Sequence, residues 1–274
     1  MNKSISSLGM GTTSFWSGSN PRLEACIQSA FKDHGINVFD TAEMYGNGRS
    51  EAALGRAIRG LDREQLVLVD KILPDHVQKK SFRKSLNQSL QHLGTDYIDL
   101  YLLHWREKAD LQLLVDEMEE ARAEGLIREW GVSNFSVEDM QDLLRCRGGE
   151  GCFTNQVFYC LYERGPEYDL FPLLREYGIR PMSYSSLGSN YYAHPDIHRY
   201  RDIVEACEAY GITPEPWMLQ MNVRQGVLTL FQTSSLQHLR ENTAPISDET
   251  FEALRPVFEA HFPAPIKAKP LVKI

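Results

Sequence analysis

Tyr97-Ile98-Asp99-Leu100-Tyr101-Leu102-Leu103-His104-Trp105 is the stretch that decides the fold. Its apolar residues run almost without a break, so both faces must be covered, as in a strand of a parallel sheet. Leu66-Val67-Leu68-Val69 reads the same way. Working outward, extended runs are predicted at residues 5–12, 36–40, 66–72, 97–105, 129–135, 153–158, 180–184 and 227–231. Longer amphipathic stretches separate them, and most stop at a glycine: Gly35, Gly60, Gly94, Gly125, Gly148, Gly178, Gly211 or Gly226. A glycine just past a helix end supplies the left-handed conformation that commonly terminates helices. Starts are marked by Asn20-Pro21, Thr213-Pro214, Ser136 and Ser247, each a capping residue ahead of a proline or acids. Eight strands, each followed by a helix at a repeat of roughly 30 residues, predict a (β/α)8 barrel. An open doubly wound sheet would carry Gly-x-Gly-x-x-Gly after its first strand, and Gly9-Met10-Gly11 lacks the third glycine. No interdomain linker is visible, so residues 1–274 read as one domain, with 263–274 an extended tail.

Composition narrows the function. The 274 residues are 42% hydrophobic and 24% charged, ordinary for a soluble globular chain. A net charge of −8 without a basic stripe excludes nucleic acid as the expected partner. No apolar stretch approaches the roughly 18 residues that span a bilayer, so no membrane association is expected. Cys26, Cys146, Cys152, Cys160 and Cys207 are an odd number without a Cys-x-x-Cys, which suits free thiols in a reducing, cytoplasmic compartment.

Barrel enzymes place their chemistry at the C-terminal ends of the strands. The predicted strands end at Asp40, Lys71 and His104, then at Ser133-Asn134 and Tyr184-Ser185-Ser186, the sixth strand carries Asn155-Gln156, and Tyr45 follows Asp40 by five residues. Tyrosine, with a reference pKa near 10, is a poor proton donor at neutral pH unless a neighbouring cation stabilises its phenolate. Lys71 is expected to lower that pKa, Asp40 to keep the lysine charged, and His104 to orient a carbonyl oxygen and share the proton load. The set suits protonation of a carbonyl oxygen while a nicotinamide delivers hydride, which no side chain can do.

These residues resemble the aldo-keto reductases, NADPH-dependent barrel enzymes that reduce aldehydes and ketones. The matching stretches are Leu8–Gly11 with Thr12, Asn37-Val38-Phe39-Asp40-Thr41-Ala42-Glu43-Met44-Tyr45-Gly46, the run from Tyr97 to Trp105, Gly131-Val132-Ser133-Asn134-Phe135, Asn155-Gln156 and Tyr184-Ser185-Ser186-Leu187. The resemblance runs from about residue 5 to 242, in order and at the right strand ends. It implies a catalytic tetrad of Asp40, Tyr45, Lys71 and His104, with Tyr45 as general acid. It implies further that Ser133, Asn134 and Gln156 hold the nicotinamide carboxamide, that Tyr184 stacks on the ring, that Ser185 and Leu187 follow the pyrophosphate, and that Ser186 is a cofactor contact. Gly11, Thr12, Asp40, Gln232, Thr233, Ser234, His238 and Asn242 complete the implied cofactor contacts. The expected cofactor is NADP(H), with NAD(H) as an alternative. The expected partner is a small carbonyl substrate, and the expected state a monomer.

Departures from the family pattern are local. Asp70 precedes Lys71 where the family usually has a small hydroxyl residue; strand alternation points it away from the Lys71 face. Phe158 replaces an acid, and Leu230-Phe231-Gln232-Thr233 replaces the usual Ile-Pro-Gly/Lys-Ser/Thr. Trp16 and Trp105 follow strand ends and are candidate substrate contacts alongside Tyr45 and His104. His194 and His198 have a metal-ligand spacing, but the intervening Pro195 and the lack of a further ligand favour a surface loop; no metal is expected. Glu117, Glu119, Glu120 and Glu124 read as a solvated helix face. Two rival functions remain: a catalytically slow cofactor-binding sensor on the same fold, and a metal-dependent barrel lyase or hydrolase.

Overall fold

The computed structural model describes residues 3–188 and 194–273. Eight strands, β1 (Leu8–Gly11), β2 (Val38–Asp40), β3 (Val67–Ile72), β4 (Ile98–Leu103), β5 (Ile127–Ser133), β6 (Thr154–Phe158), β7 (Arg180–Tyr184) and β8 (Leu228–Phe231), pair in sequence order, and β8 returns to β1 to close a parallel barrel. The helices are α1 (Pro21–His34), α2 (Arg49–Ala57), α3 (Lys79–Leu93), α4 (Leu111–Ala123), α5 (Val137–Arg145), α6 (Leu170–Glu176), α7 (Arg201–Glu208), α8 (Pro214–Arg224), α9 (Leu236–Asn242) and α10 (Asp248–His261). Two of them, α7 and α8, lie between β7 and β8, one more than a single helix per strand, and the stops at Gly211 and Gly226 with the start at Thr213-Pro214 mark both.

All six residues of β3 and all six of β4 are buried, the two-sided burial that their apolar runs predict. Alternation divides them. Val67, Val69, Leu100 and Leu102 fill the barrel with Val38, Met182, Leu228 and Leu230, while Leu68, Tyr101 and Leu103 face the helices. The same parity turns Lys71 inward and leaves Asp70 outside, beside its register partner Tyr101. Gly131 allows β5 and β6 to approach, since a Cβ there would stand 2.4 Å from the Thr154 carbonyl oxygen.

The predicted caps hold at three of four starts. Asn20 accepts from Leu23 N, Ser136 and Asp139 form a reciprocal capping box, and Ser247 accepts from Thr250 N. Thr213 is the exception; its hydroxyl is buried without a partner among the described residues, so Pro214 alone marks that start. At the barrel floor Asp99, fully buried, takes Lys3 Nζ at 2.7 Å, Arg63 at 2.8 Å and Leu68 N at 3.0 Å. The described part of the tail carries neither helix nor strand and lies along α5, where Lys273 Nζ donates to Asp139 Oδ2. Ile274, its last residue, is outside the described residues. Among the described residues no helix is long and apolar enough to cross a membrane.

Candidate active site

Asp40, Tyr45, Lys71 and His104 converge at the C-terminal end of the barrel. Lys71 is 1% exposed, and its Nζ donates to Asp40 Oδ2 at 2.7 Å and to the Thr41 carbonyl at 2.8 Å. Tyr45 arrives on the turn after β2. Gly46 makes that turn possible: its φ is +63°, and a Cβ there would stand 2.2 Å from the Trp16 carbonyl oxygen. The turn brings the Tyr45 ring to 5.3 Å from Lys71 Nζ and sets it edge-on to His104, with ring centroids 5.9 Å apart. His104 follows β4 directly and stacks flat on Trp105, ring centroids 3.8 Å apart and planes 3° from parallel.

The electrostatics agree with part of the sequence expectation. Burial works against the charge on Lys71, but Asp40 and Tyr45 outweigh it and leave the lysine pKa above its ordinary value. Tyr45 goes the other way from the expectation. Burial of its hydroxyl end pushes the pKa up, and although Lys71 pulls it down, burial together with the Asp40 charge wins. Tyr45 is therefore held as the neutral phenol, a proton donor rather than a pre-formed phenolate. His104 is pushed well below the ordinary histidine value by burial and then by Lys71, and its Nδ1 is buried without a partner among the described residues. A neutral imidazole can donate one N–H, but it does not share the proton load as a cation would.

Asp40, Tyr45 and His104 line one side of a cavity of about 420 Å³, and Lys71 is buried behind that lining. Ser133, Asn134, Gln156, Tyr184, Ser185, Ser186 and Leu187 all line it, as do Gly11, Trp105 and Gln232. Asn134 and Ser185 hold left-handed backbone, φ +62° and +52°, strain of a kind that collects at functional sites. Asn134 donates to the His104 carbonyl at 3.1 Å and accepts from the Tyr184 hydroxyl at 2.7 Å, so it ties two walls together. Tyr184 is backed by Phe158, with ring centroids 5.8 Å apart. Gln156 does more than the sequence suggested: its Nε2 donates to Asp40 Oδ1 at 2.8 Å, joining the amide wall to the buried ion pair.

Other predicted contacts lie elsewhere. Thr12 turns its hydroxyl into the barrel wall, onto the Asp40 carbonyl and Ser50, and its neighbour Thr13 lines the cavity instead. Trp16 is 49% exposed and lies outside the cavity lining among the described residues, its ring centroid 6.3 Å from that of Tyr45. Gln232 spends its amide across the rim, where Oε1 accepts from Thr13 Oγ1 at 2.9 Å and Ser14 N at 3.2 Å. Thr233, Ser234, His238 and Asn242 fall beyond the cavity lining, with Ser234 and His238 on the surface around α9. Met44, Leu230 and Phe231 line the cavity unforeseen, although the strand-end rule applied to β8 would have found the last two. His194 stacks on Phe158 and Tyr162 whereas His198 Nε2 meets Glu215 at 2.9 Å, so the two rings serve different surroundings.

A sequence profile described as the Aldo/keto reductase family matches residues 7–257. The chain is 34% identical over 264 residues to methylglyoxal reductase YeaE of Escherichia coli (strain K12), covering 96% of this chain and 93% of that protein. It is 32% identical to the NADH-specific methylglyoxal reductase of the same strain, over 67% of this chain and 64% of that one. Among solved structures, an aldo/keto reductase from Klebsiella pneumoniae in complex with NADP and acetate superposes with a TM-score of 0.87 at 37% identity, covering 98% of this chain and 96% of that one. With its barrel, its strand-end residues and these relatives in agreement, the chain belongs to the aldo/keto reductase family.

Proposed function

We propose that this protein reduces small aldehydes and α-dicarbonyls of the methylglyoxal type to alcohols with NADPH, and that Tyr45 supplies the proton. The observation that carries the reading is the buried Lys71–Asp40 pair, 2.7 Å apart, beside a neutral Tyr45 and an uncharged His104 on one cavity wall. The Tyr45 hydroxyl donates to the carbonyl oxygen as negative charge develops there. Lys71, held by Asp40 and the Thr41 carbonyl, stabilises the phenolate left behind. His104, its ring fixed by Trp105, turns an N–H toward the same oxygen and fixes its direction. Such a preorganised donor pair acts where charge appears in the transition state.

The cavity chemistry fits a nicotinamide dinucleotide. Ser133, Asn134 and Gln156 offer a hydroxyl and two amides to a carboxamide, Tyr184 offers a flat ring, and Ser185 to Leu187 offer neutral contacts to a pyrophosphate. Bound there, the nicotinamide supplies the hydride. The NADP-bound Klebsiella relative supports NADP(H), and the NADH-specific Escherichia coli relative supports NAD(H) as a second cofactor. The described part of the tail packs along α5, and among the described residues the cavity lining ends at Gln232, so that part of the tail does not narrow the cavity. That openness suits small substrates of varied shape. Five free cysteines among the described residues suit a cytoplasmic setting.

The test is loss of NADPH absorbance with methylglyoxal and a panel of small aldehydes, for wild type and Tyr45→Phe. Turnover should fall about 10²–10⁴-fold in the variant while NADPH affinity stays within about threefold. A variant as active as wild type would remove Tyr45 from the mechanism.

A further inference from the structure

Directly behind Lys71, on the outer face of the barrel, lies a second acid cluster that the reaction does not use. Asp70 of β3 and Glu51 of α2 are both buried, 0% and 1% exposed. Glu51 is well supplied with donors: Ser89 Oγ of α3 at 2.6 Å and His92 Nδ1 of α3 at 2.7 Å. Asp70 has one, the backbone N–H of Lys71 at 2.8 Å on Oδ1, while Oδ2 is buried without a hydrogen-bond partner among the described residues. Tyr101 of β4, its register partner, is fully buried and its hydroxyl is likewise unpartnered among those residues. Glu43, from the turn after β2, adds its charge near Tyr101 and is itself met by His76 at 3.0 Å. Through the barrel wall stand Lys71, Asp40 and Tyr45.

The Glu51 carboxyl stands within side-chain hydrogen-bonding reach of the Asp70 carboxyl, and two carboxyls so placed in buried surroundings cannot both ionise. The donor count decides which one does. We propose that Asp70 and Glu51 share one proton, carried by Asp70, and that Asp70 is thereby a positioning residue that sets the charge felt by Lys71 and Tyr45. This rests on the reading of those two residues as reaction machinery. Burial first, and the Glu51 charge second, push the Asp70 carboxyl well above the ordinary carboxylate range. His92, with its side chain 38% exposed, brings the Glu51 end of the cluster to water, as His76 does for Glu43. While Asp70 keeps its proton, Lys71 answers one anion, Asp40. Once Asp70 ionises, its charge raises the pKa of Lys71 and of Tyr45 alike, and Tyr45 becomes a weaker acid.

A carboxyl whose folded pKa is raised gives its full stabilisation below the unfolded value, near 3.9, and loses it as pH rises through the folded value. Wild type should therefore lose both turnover and stability toward alkaline pH, relative to a chain with a neutral residue at position 70.

The experiment compares wild type, Asp70→Asn, Asp70→Ser and Glu51→Gln between about pH 6 and 10, with methylglyoxal and NADPH, recording kcat and the thermal unfolding midpoint. The ratio of wild-type to Asp70→Asn turnover should fall about threefold to tenfold across the range, the size of a shift of about one unit in the acid. The unfolding midpoints should diverge in the same direction, and Asp70→Ser should repeat both results. Glu51→Gln, which removes the other half of the pair, should flatten the alkaline loss. Midpoints of wild type and the Asp70 variants that move in parallel overturn the shared proton, whatever the kinetics do. Diverging midpoints with superimposable kinetic profiles in an active enzyme overturn the coupling to Lys71. A wild type that reduces no carbonyl overturns the functional reading instead, and the midpoints still decide the pair.

Discussion

Asp99 and Asp40 are both buried acids of the barrel paired to a lysine, yet one sits at the floor and the other at the catalytic rim. At the floor every arrangement is closed: Asp99 takes Lys3, Arg63 and a backbone N–H, and the two cations keep 13% and 23% of their side chains in water. At the rim the cation is the deeper partner. Lys71 is 1% exposed, and its neighbours Tyr45 and His104 both have displaced pKa values. The floor ties charge to charge and to the backbone, with a fixed partner for each group. The rim holds charge next to groups that must gain or lose a proton. The same distance, 2.7 Å in both lysine pairs, thus serves opposite ends.

Removing one charge from each end separates the floor from the rim. Lys71→Met should lower kcat about 10²–10⁴-fold, because the phenolate of Tyr45 loses its counter-charge. It also strands Asp40 in the interior, so unfolding should come about 3–5 kcal/mol sooner. Asp99→Asn should destabilise by a smaller amount, about 2–3 kcal/mol, since Lys3 and Arg63 retain access to water. Its kcat below the unfolding transition should match wild type. Denaturant unfolding and steady-state kinetics on both variants check this; a catalytic loss in Asp99→Asn comparable to that of Lys71→Met would erase the distinction.

A smaller effect separates the rim groups from ordinary surface residues. His104 is held neutral by burial and by Lys71, so kcat should show no inflection near pH 6.5, where an exposed histidine titrates. The lowered value keeps the neutral ring through mildly acid conditions, and loss should begin only well below that pH. Trp105→Ala opens the stacked face of His104 to water and should move the acid limb upward toward 6.5. Rate profiles from about pH 4.5 to 7.5 decide the point, and a wild-type midpoint near 6.5 would contradict it.

What the sequence reveals follows from what is local. The eight strands are legible because two-sided burial leaves continuous apolar runs, and β3 and β4 are buried at every position. The first strand begins at Leu8 rather than at Ile5 because Ser6 bonds to the Asn37 side chain, not to a neighbouring strand. The strand-end rule locates Asp40, Lys71 and His104 without any knowledge of distance. The Gln156–Asp40 contact spans 116 residues and depends on the barrel's diameter, which no window of sequence carries. The sign at Tyr45 escapes for a related reason: sequence names Lys71 as a neighbour but not the depth of burial that overrides it. Asp70 is visible as an odd residue, yet its encounter with Glu51 depends on how α2 is rotated against β3.

The smallest predicted effect concerns the nucleotide end, where the site is open rather than dry. Gln232 is exposed, and its amide is engaged by Thr13 and Ser14, so it latches the turn after β1 to the end of β8 instead of presenting a charge. Thr233 and Ser234 beside it are neutral, and His238 and Arg240 lie on the surface of α9. An extra phosphate on the cofactor ribose would gain little from this set, so NADPH should be preferred over NADH by a modest factor. Gln232→Ala removes exposed hydrogen bonds worth about 0.5–1.5 kcal/mol at most, and the Michaelis constant for NADPH should rise about twofold to fivefold. Gln232→Lys places a cation on that rim. An exposed ion pair is worth about 0.2–1 kcal/mol, so the ratio of NADPH to NADH efficiency should rise up to about fivefold at low ionic strength and shrink as salt is added. Michaelis constants for both cofactors at two salt concentrations measure it. A wild type that prefers NADH, or a lysine variant whose cofactor ratio ignores salt, would show that the open end of β8 does not face the extra phosphate.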